Sequence, residues 1–254
     1  MGVLPGAEPF AASGGEVGVV LSHGFTGTPQ SLRPWAEHLA AAGLSVRLPR
    51  LPGHGTRWTD LNDTRWPDWY GEVERAFDDL RSTCDRVFAM GLSMGGTLVT
   101  RLAEQRPSEV AGLVLVNPSF GTERKDVKYA LPLLHRFVPS LPGIASDIRK
   151  PGVTELAYDR TPLKAMHSLS RLWPLVAADL GRVTAPVLLF RSRVDHVVES
   201  MSGRLLRTGA SSTEVTEVLL EESYHVATLD HDAPAIFAGS LEFVRTHSAT
   251  PAAG

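Results

Sequence analysis

The stretch MGLSMGG, residues 90–96, closes a continuously apolar run, RVFAMG, and opens a run with helical spacing, MGGTLVTRLAEQRP, which Pro107 stops. Gly91 and Gly95 stand two places to either side of Ser93. In a chain with 23 glycines the pattern Gly-x-Ser-x-Gly alone is a weak signal, since a tight turn holding an incidental serine has the same letters. Its position carries the weight. A sharp strand-to-helix turn brings neighbouring backbone so close that residues two places away can have almost no side chain, and it leaves the serine hydroxyl at the strand's end. Ser93 is therefore the candidate nucleophile.

Working outward, short apolar runs bounded by Gly, Pro or polar residues recur at 17–24, 44–49, 86–93, 110–118, 185–192 and 213–220. Most are continuously apolar, as strands buried on both faces of a parallel sheet are, whereas a half-exposed hairpin would alternate. Helical spacing fills the gaps: SLRPWAEHLAAAG, PDWYGEVERAFDDL, the run after Ser93 and PAIFAGSLEFVRTH. Alternating strand and helix implies an α/β fold, a mostly parallel sheet with right-handed crossovers and helices on both faces. The rhythm breaks over 119–182, which is rich in proline and has no comparable strand-like run. This segment reads as short helical pieces forming a cap, inserted into a core made of 1–118 and 183–254.

Bulk properties bound the function. A net charge of -3 without a Lys/Arg run offers no field for a phosphate backbone, so nucleic acid is not an expected partner. One cysteine, Cys84, excludes an internal disulfide and a Cys-based zinc cluster, and HExxH is absent, so neither metal nor cofactor is expected. The first residues lack the basic start and apolar stretch of a signal peptide, and no apolar run approaches a membrane span. The expectation is a cytoplasmic protein.

A serine hydroxyl needs a base to take its proton and an acid to hold that base. In the α/β-hydrolase fold these follow in the order Ser, Asp or Glu, His, on loops after later strands. Asp195 lies just beyond VLLF and His225 just beyond TEVTEVLL. His196 reads as a neighbour packing the loop and His231 as a surface or capping residue, Asp179 precedes its strand, and Asp230 and Asp232 read as residues at a helix start. The anion formed on the carbonyl oxygen needs two N–H donors. Met94, after the nucleophile, and Phe25, in the SHGFTG loop, are the candidates. His23 and His54 read as loop-holding residues, and Trp58, Trp66 and Trp69 as core.

The segments HGFTGTPQSLRPWAEHLAAAG, LPRLPGHGT, GLSMGGTL, RSRVDHVV and SYHV resemble the bacterial monoacylglycerol lipases and related carboxylesterases of the α/β-hydrolase superfamily. The resemblance spans nearly the whole chain and is weakest in the first fifteen residues and the cap. It implies Ser93, Asp195 and His225 as the catalytic residues, Phe25 and Met94 as oxyanion donors, and a mobile cap over an acyl tunnel. One departure is an oxyanion loop of His-Gly-Phe in place of three glycines. The expected substrate is a small lipid ester, and Val127, Tyr129, Ala130, Leu131, Leu133, Leu134, Phe137 and Val138 would divide between packing the cap, lining the tunnel and touching a lipid surface. Glu155, a carboxylate among apolar neighbours in the cap, is the candidate acceptor for a glycerol hydroxyl. A broad carboxylesterase or thioesterase, and a ligand receptor on the same scaffold, are the alternative readings.

Overall fold

The computed structural model describes residues 2–144 and 146–248. Its core is a seven-stranded sheet of β1 (Phe10–Ala12), β2 (Val17–Ser22), β3 (Ser45–Leu48), β4 (Arg86–Leu92), β5 (Val110–Val116), β8 (Val187–Ser192) and β9 (Val215–Leu220), in the order β1-β3-β2-β4-β5-β8-β9. All neighbours pair in parallel except β1, which runs antiparallel to β3 with Phe10 opposite Leu48. The helices are α1 (Arg33–Ala41), α2 (Trp58–Leu61), α3 (Trp66–Arg81), α4 (Met94–Gln105), α5 (Leu131–Leu134), α6 (Leu163–Asp179), α7 (Met201–Gly209) and α8 (Ala233–Ser248).

Each apolar strand feeds two cores because successive side chains leave the sheet on opposite faces. Val20, Val87, Ala89, Leu113, Leu115, Val187 and Leu189 pack with α3, α4, α6 and α7. Their strand neighbours Val19, Leu21, Phe88, Met90, Val114, Val116, Leu188 and Phe190 pack with α1 and α8. The α/β fold with helices on both faces is as the sequence implies.

Two features differ from the sequence reading. β1 is an edge strand of only three residues, too short for periodicity to show. The segment 119–182 also has more regular structure than short helical pieces. It holds a π-helical turn over Asp126–Ala130, the two-stranded ribbon of β6 (Ser140–Pro142) and β7 (Arg160–Pro162), and the 17-residue α6. α6 continues through Pro174, which supplies no N–H to the preceding turn. Burial of Leu169, Leu172, Trp173 and Val176 compensates, since a tertiary apolar face outweighs one lost helix bond. Of the apolar residues in the first half of the segment, Leu131 is buried, whereas Tyr129, Leu133 and Phe137 are exposed. Among the described residues no helix is long and apolar enough to cross a membrane.

Candidate active site

β4 runs directly into α4, and Ser93 is the joint. Its backbone is left-handed (φ 55°, ψ -120°), a conformation an L-residue holds only where its surroundings enforce it. Here the Ser93 N–H donates to the Val116 carbonyl at 3.0 Å, and its own carbonyl accepts from the Thr97 and Ser119 N–H groups at 3.2 Å. A Cβ on Gly95 would sit 1.8 Å from the Ser22 carbonyl oxygen, and one on Gly91 2.4 Å from the Gly95 carbonyl carbon. The spacing of glycines about Ser93 is thus a steric requirement of β4, α4 and the end of β2 meeting at one point.

Asp195 follows β8, where its Oδ1 accepts the N–H groups of Val197 and Val198, both at 2.8 Å, closing a local turn. Its Oδ2 accepts from His225 Nδ1 at 2.8 Å, and both side chains are largely buried. A carboxylate only accepts, so the Nδ1 proton is fixed and Nε2 is left as the basic nitrogen. Burial alone would raise the Asp195 pKa, but His225 and the two N–H groups outweigh it and hold the carboxyl below its usual range. Burial likewise works to lower the His225 pKa, and the nearby carboxylates of Asp195, Glu155 and Asp147 reverse that to a net rise. The Ser93 hydroxyl is not hydrogen-bonded to the His225 ring in this geometry.

The loop after β2 passes beside the elbow, with Gly24 next to the Ser93 Cβ. His23 Nε2 accepts from the Leu51 N–H at 3.2 Å, which places the proton on Nδ1, within 3.0 Å of the Gly24 carbonyl. Burial pushes the His23 pKa down to about 4 and that of His54 well down, so both rings are neutral struts. The Phe25 ring stacks edge-on against Trp69 and His54, centroids 6.0 and 6.5 Å apart. Among the described residues the Phe25 and Met94 N–H groups have no protein acceptor, leaving two donors beside Ser93.

Glu155 comes from the insertion. Its Oε1 lies over Gly27, where a Cβ would approach it to 2.6 Å, and its backbone N–H donates to Ser146 Oγ at 2.8 Å. Burial pushes its carboxyl up to about 7, against the opposing pull of His225 and a bond from Ser31. If His225 acts as a base, kcat/KM for a neutral aryl ester rises with pH along an acid limb whose midpoint lies above 6.5, because the carboxylates stabilise the protonated, inactive ring. Glu155→Gln moves that midpoint down. A pH profile of each protein checks this, and a wild-type midpoint below 6.5 contradicts it.

The competing residues fall elsewhere. His196 pairs with Asp147 at 2.7 Å and packs edge-on against Tyr224, and Asp179 pairs with Arg101 at 2.6 Å. Asp230 does more than start a helix: buried, it accepts four backbone N–H groups, from Arg149, Lys150, Tyr224 and His231. Sequence reasoning missed Asn117, at the end of β5 with a φ of 44°. Its amide donates to Ser192 Oγ (2.9 Å) and the His225 carbonyl (2.8 Å) and accepts from the Ser192 N–H (2.8 Å), tying three strand ends together. An Asn before Pro118 at a strand end is a turn signal that could have drawn attention to it. Asp147 was missed as well, and nothing local marks it. Among the described residues no group of three or more His, Cys, Asp or Glu side chains is arranged to hold a metal ion.

The doubly covered parallel sheet, the serine at its elbow and the Asp–His pair on later strand-end loops define the chain as an α/β-hydrolase. Residues 16–232 match the family described as serine aminopeptidase, S33, and the chain belongs to that family. It is 45% identical over 246 residues to a thermostable monoacylglycerol lipase of Bacillus sp. (strain H-257), covering 97% of each chain. A carboxylesterase of Bacillus subtilis (strain 168) is 26% identical over 93% of this chain and 96% of its own. A structure solved for the metagenome-derived lipolytic enzymes LipS and LipT superposes with a TM-score of 0.94 at 44% identity, covering 97% of this chain and all of that one. The family resemblance read from the motifs agrees with these relatives, and the chain is a serine ester hydrolase.

Proposed function

We propose that the chain hydrolyses monoacylglycerols with medium to long acyl chains to fatty acid and glycerol. The observations that support the chemistry are the Asp195–His225 pair, tautomer fixed, on loops after later strands, and the strained Ser93 at the end of β4. His225 Nε2 takes the Ser93 proton as Oγ attacks the ester carbonyl, and the oxygen's developing charge falls on the Phe25 and Met94 N–H groups. Collapse breaks the C–O bond to glycerol, whose oxygen receives the proton back from His225. Water, deprotonated by the same nitrogen, then attacks the acyl-Ser93 carbonyl and frees the fatty acid and the serine.

Substrate choice rests on the insertion, which we take as a cap over the site comprising 119–182. Glu155, whose backbone is held by Ser146 and whose Oε1 lies over Gly27, would bond a free glycerol hydroxyl in this reading, and a site built on such a bond discriminates against esters lacking it. The name of the relative at 45% identity supports this substrate class. Chain-length preference follows from apolar burial. Each methylene removed from water contributes up to about 0.8 kcal/mol, so eight more supply roughly 6 kcal/mol before ordering costs. The exposed Tyr129, Leu133 and Phe137 are the part of the cap suited to transient contact with a lipid surface. We place the reaction in the cytoplasm.

A rate panel of monoacylglycerols, triacylglycerols and aryl esters of graded chain length, run on wild type and Glu155→Ala, tests the assignment. The expected order puts monoacylglycerols first and long chains above acetates. Glu155→Ala loses at least tenfold more kcat/KM on monoacylglycerol than on aryl ester, about the worth of one buried hydrogen bond to a charged partner. Triacylglycerol turnover above monoacylglycerol turnover, or equal losses on both substrates, contradicts it. The Bacillus subtilis carboxylesterase supports a second reading, broad ester cleavage by the same residues, in which aryl esters lead the panel.

A further inference from the structure

Among the described residues the His225 ring has one side-chain tie, to Asp195, and the direction of its free nitrogen otherwise depends on the backbone that carries it. That backbone is held on both sides of the Cα. The His225 carbonyl accepts from Asn117 Nδ2 at 2.8 Å, and the His225 N–H donates to Asp147 Oδ2 at 3.1 Å. The next N–H, of Val226, donates to the Asp147 carbonyl at 3.0 Å. Asp147 does not belong to the sheet or its loops; it lies in the segment inserted between β5 and β8.

The Asp147 side chain is 10% exposed and spans both loops of the pair. Oδ2 also accepts the His196 N–H at 3.2 Å, and Oδ1 meets His196 Nδ1 at 2.7 Å. The strap around it is fixed in turn. Arg149 and Lys150 N–H groups donate to the Asp230 carboxylate at 2.7 and 2.9 Å, and Ile148 packs on the core beneath α1 and α8. One residue before Asp147, Ser146 holds the Glu155 backbone from a left-handed conformation, φ 57°.

We propose that Asp147 is a positioning residue: its carboxylate fastens the main chain of His225 to the inserted segment and so aims the general base. The proposal rests on His225 being the base of the reaction above. A carboxylate accepting a backbone N–H makes a charge-assisted bond, stronger than the neutral loop bonds it replaces. A misplacement of about 1 Å at a reacting group costs on the order of 10²-fold in rate. Three carboxylates face the imidazole, Asp195 from the loop after β8 and Glu155 and Asp147 from the insertion, and Asp147 itself faces His196. The insertion at this point is thus a buttress of the catalytic loop, whatever its first half does over the site.

Asp147→Ala and Asp147→Asn, assayed on a soluble aryl ester beside wild type and Ser93→Ala, test this. Asp147→Ala is expected to lower kcat roughly 10- to 100-fold per site titrated by a fluorophosphonate, with KM little changed. Asp147→Asn, whose amide oxygen can accept both backbone N–H groups, recovers most of kcat but shifts the acid limb of kcat/KM to lower pH, since the negative charge is gone. Wild-type kcat per titrated site in Asp147→Ala overturns the proposal, even if that variant melts earlier. Should it not fold, an Asp147→Asn acid limb coincident with wild type overturns it. A wild type that is not labelled at Ser93, or a fully active Ser93→Ala, instead removes the triad reading beneath it.

Discussion

Ser93→Ala abolishes measurable ester hydrolysis, with kcat falling by roughly 10⁶-fold, and the protein is no longer labelled by a fluorophosphonate. The fold survives. Residue 93 is held in its left-handed conformation through its own backbone groups, bonded to Val116, Thr97 and Ser119, and alanine keeps those bonds. In the proposed mechanism the hydroxyl removed is the atom that would form the acyl-enzyme, and the neighbouring Thr97 hydroxyl is committed to the Ser119 carbonyl. Thermal melting and intact-mass labelling, run beside the rate assay, separate loss of chemistry from loss of structure. A variant retaining a hundredth of wild-type kcat, once contaminating esterase is excluded, places the nucleophile elsewhere.

Gly95→Ala is expected to do the opposite, breaking the fold before the chemistry can be asked about. The added methyl would overlap the Ser22 carbonyl oxygen at 1.8 Å, where the first turn of α4 meets the backbone at the end of β2, and a backbone carbonyl cannot swing away as a side chain would. We expect a loss above about 4 kcal/mol, which consumes most of the stability of a domain at the low end of the usual range of about 5–15 kcal/mol. Gly71→Ala is the control. Gly71 lies on the exposed side of α3 with nothing within 4 Å of its would-be Cβ, so the same substitution there stabilises by about 0.5–1 kcal/mol. Urea unfolding midpoints read both, and a soluble, cooperatively folded Gly95→Ala with a wild-type midpoint refutes the steric account of the elbow.

The elbow was legible because a close backbone approach leaves a trace in the letters themselves: small residues at fixed offsets, between an apolar run and a helical one. Asp195 and His225 were legible for a related reason, since a parallel sheet presents its loops at the carboxyl ends of its strands and both residues follow such ends directly. Asn117, Asp147 and Asp230 left no comparable trace. Most of their partners are backbone N–H and carbonyl groups, of residues up to 108 positions away, and a main-chain partner has no identity for a pattern to detect. α6 was obscured by Pro162 and Pro174, which read as breaks. One lies at the helix cap, and the other is tolerated because α6 buries a face against α4.

Local chemistry written along the chain determined the strands, the direction of the sheet, the sharp turn at Ser93 and the order in which Asp195 and His225 follow it. Tertiary structure alone decided how those partners are aimed: which carboxylate reaches the imidazole, which amide and which strap hold its backbone, and how near Glu155 lies to the oxyanion loop. The division is physical. Steric and periodic constraints act between near neighbours and shape composition at fixed spacing, whereas hydrogen bonds to a distant main chain constrain only the residue that reaches out, and its reach exists only once the chain has folded.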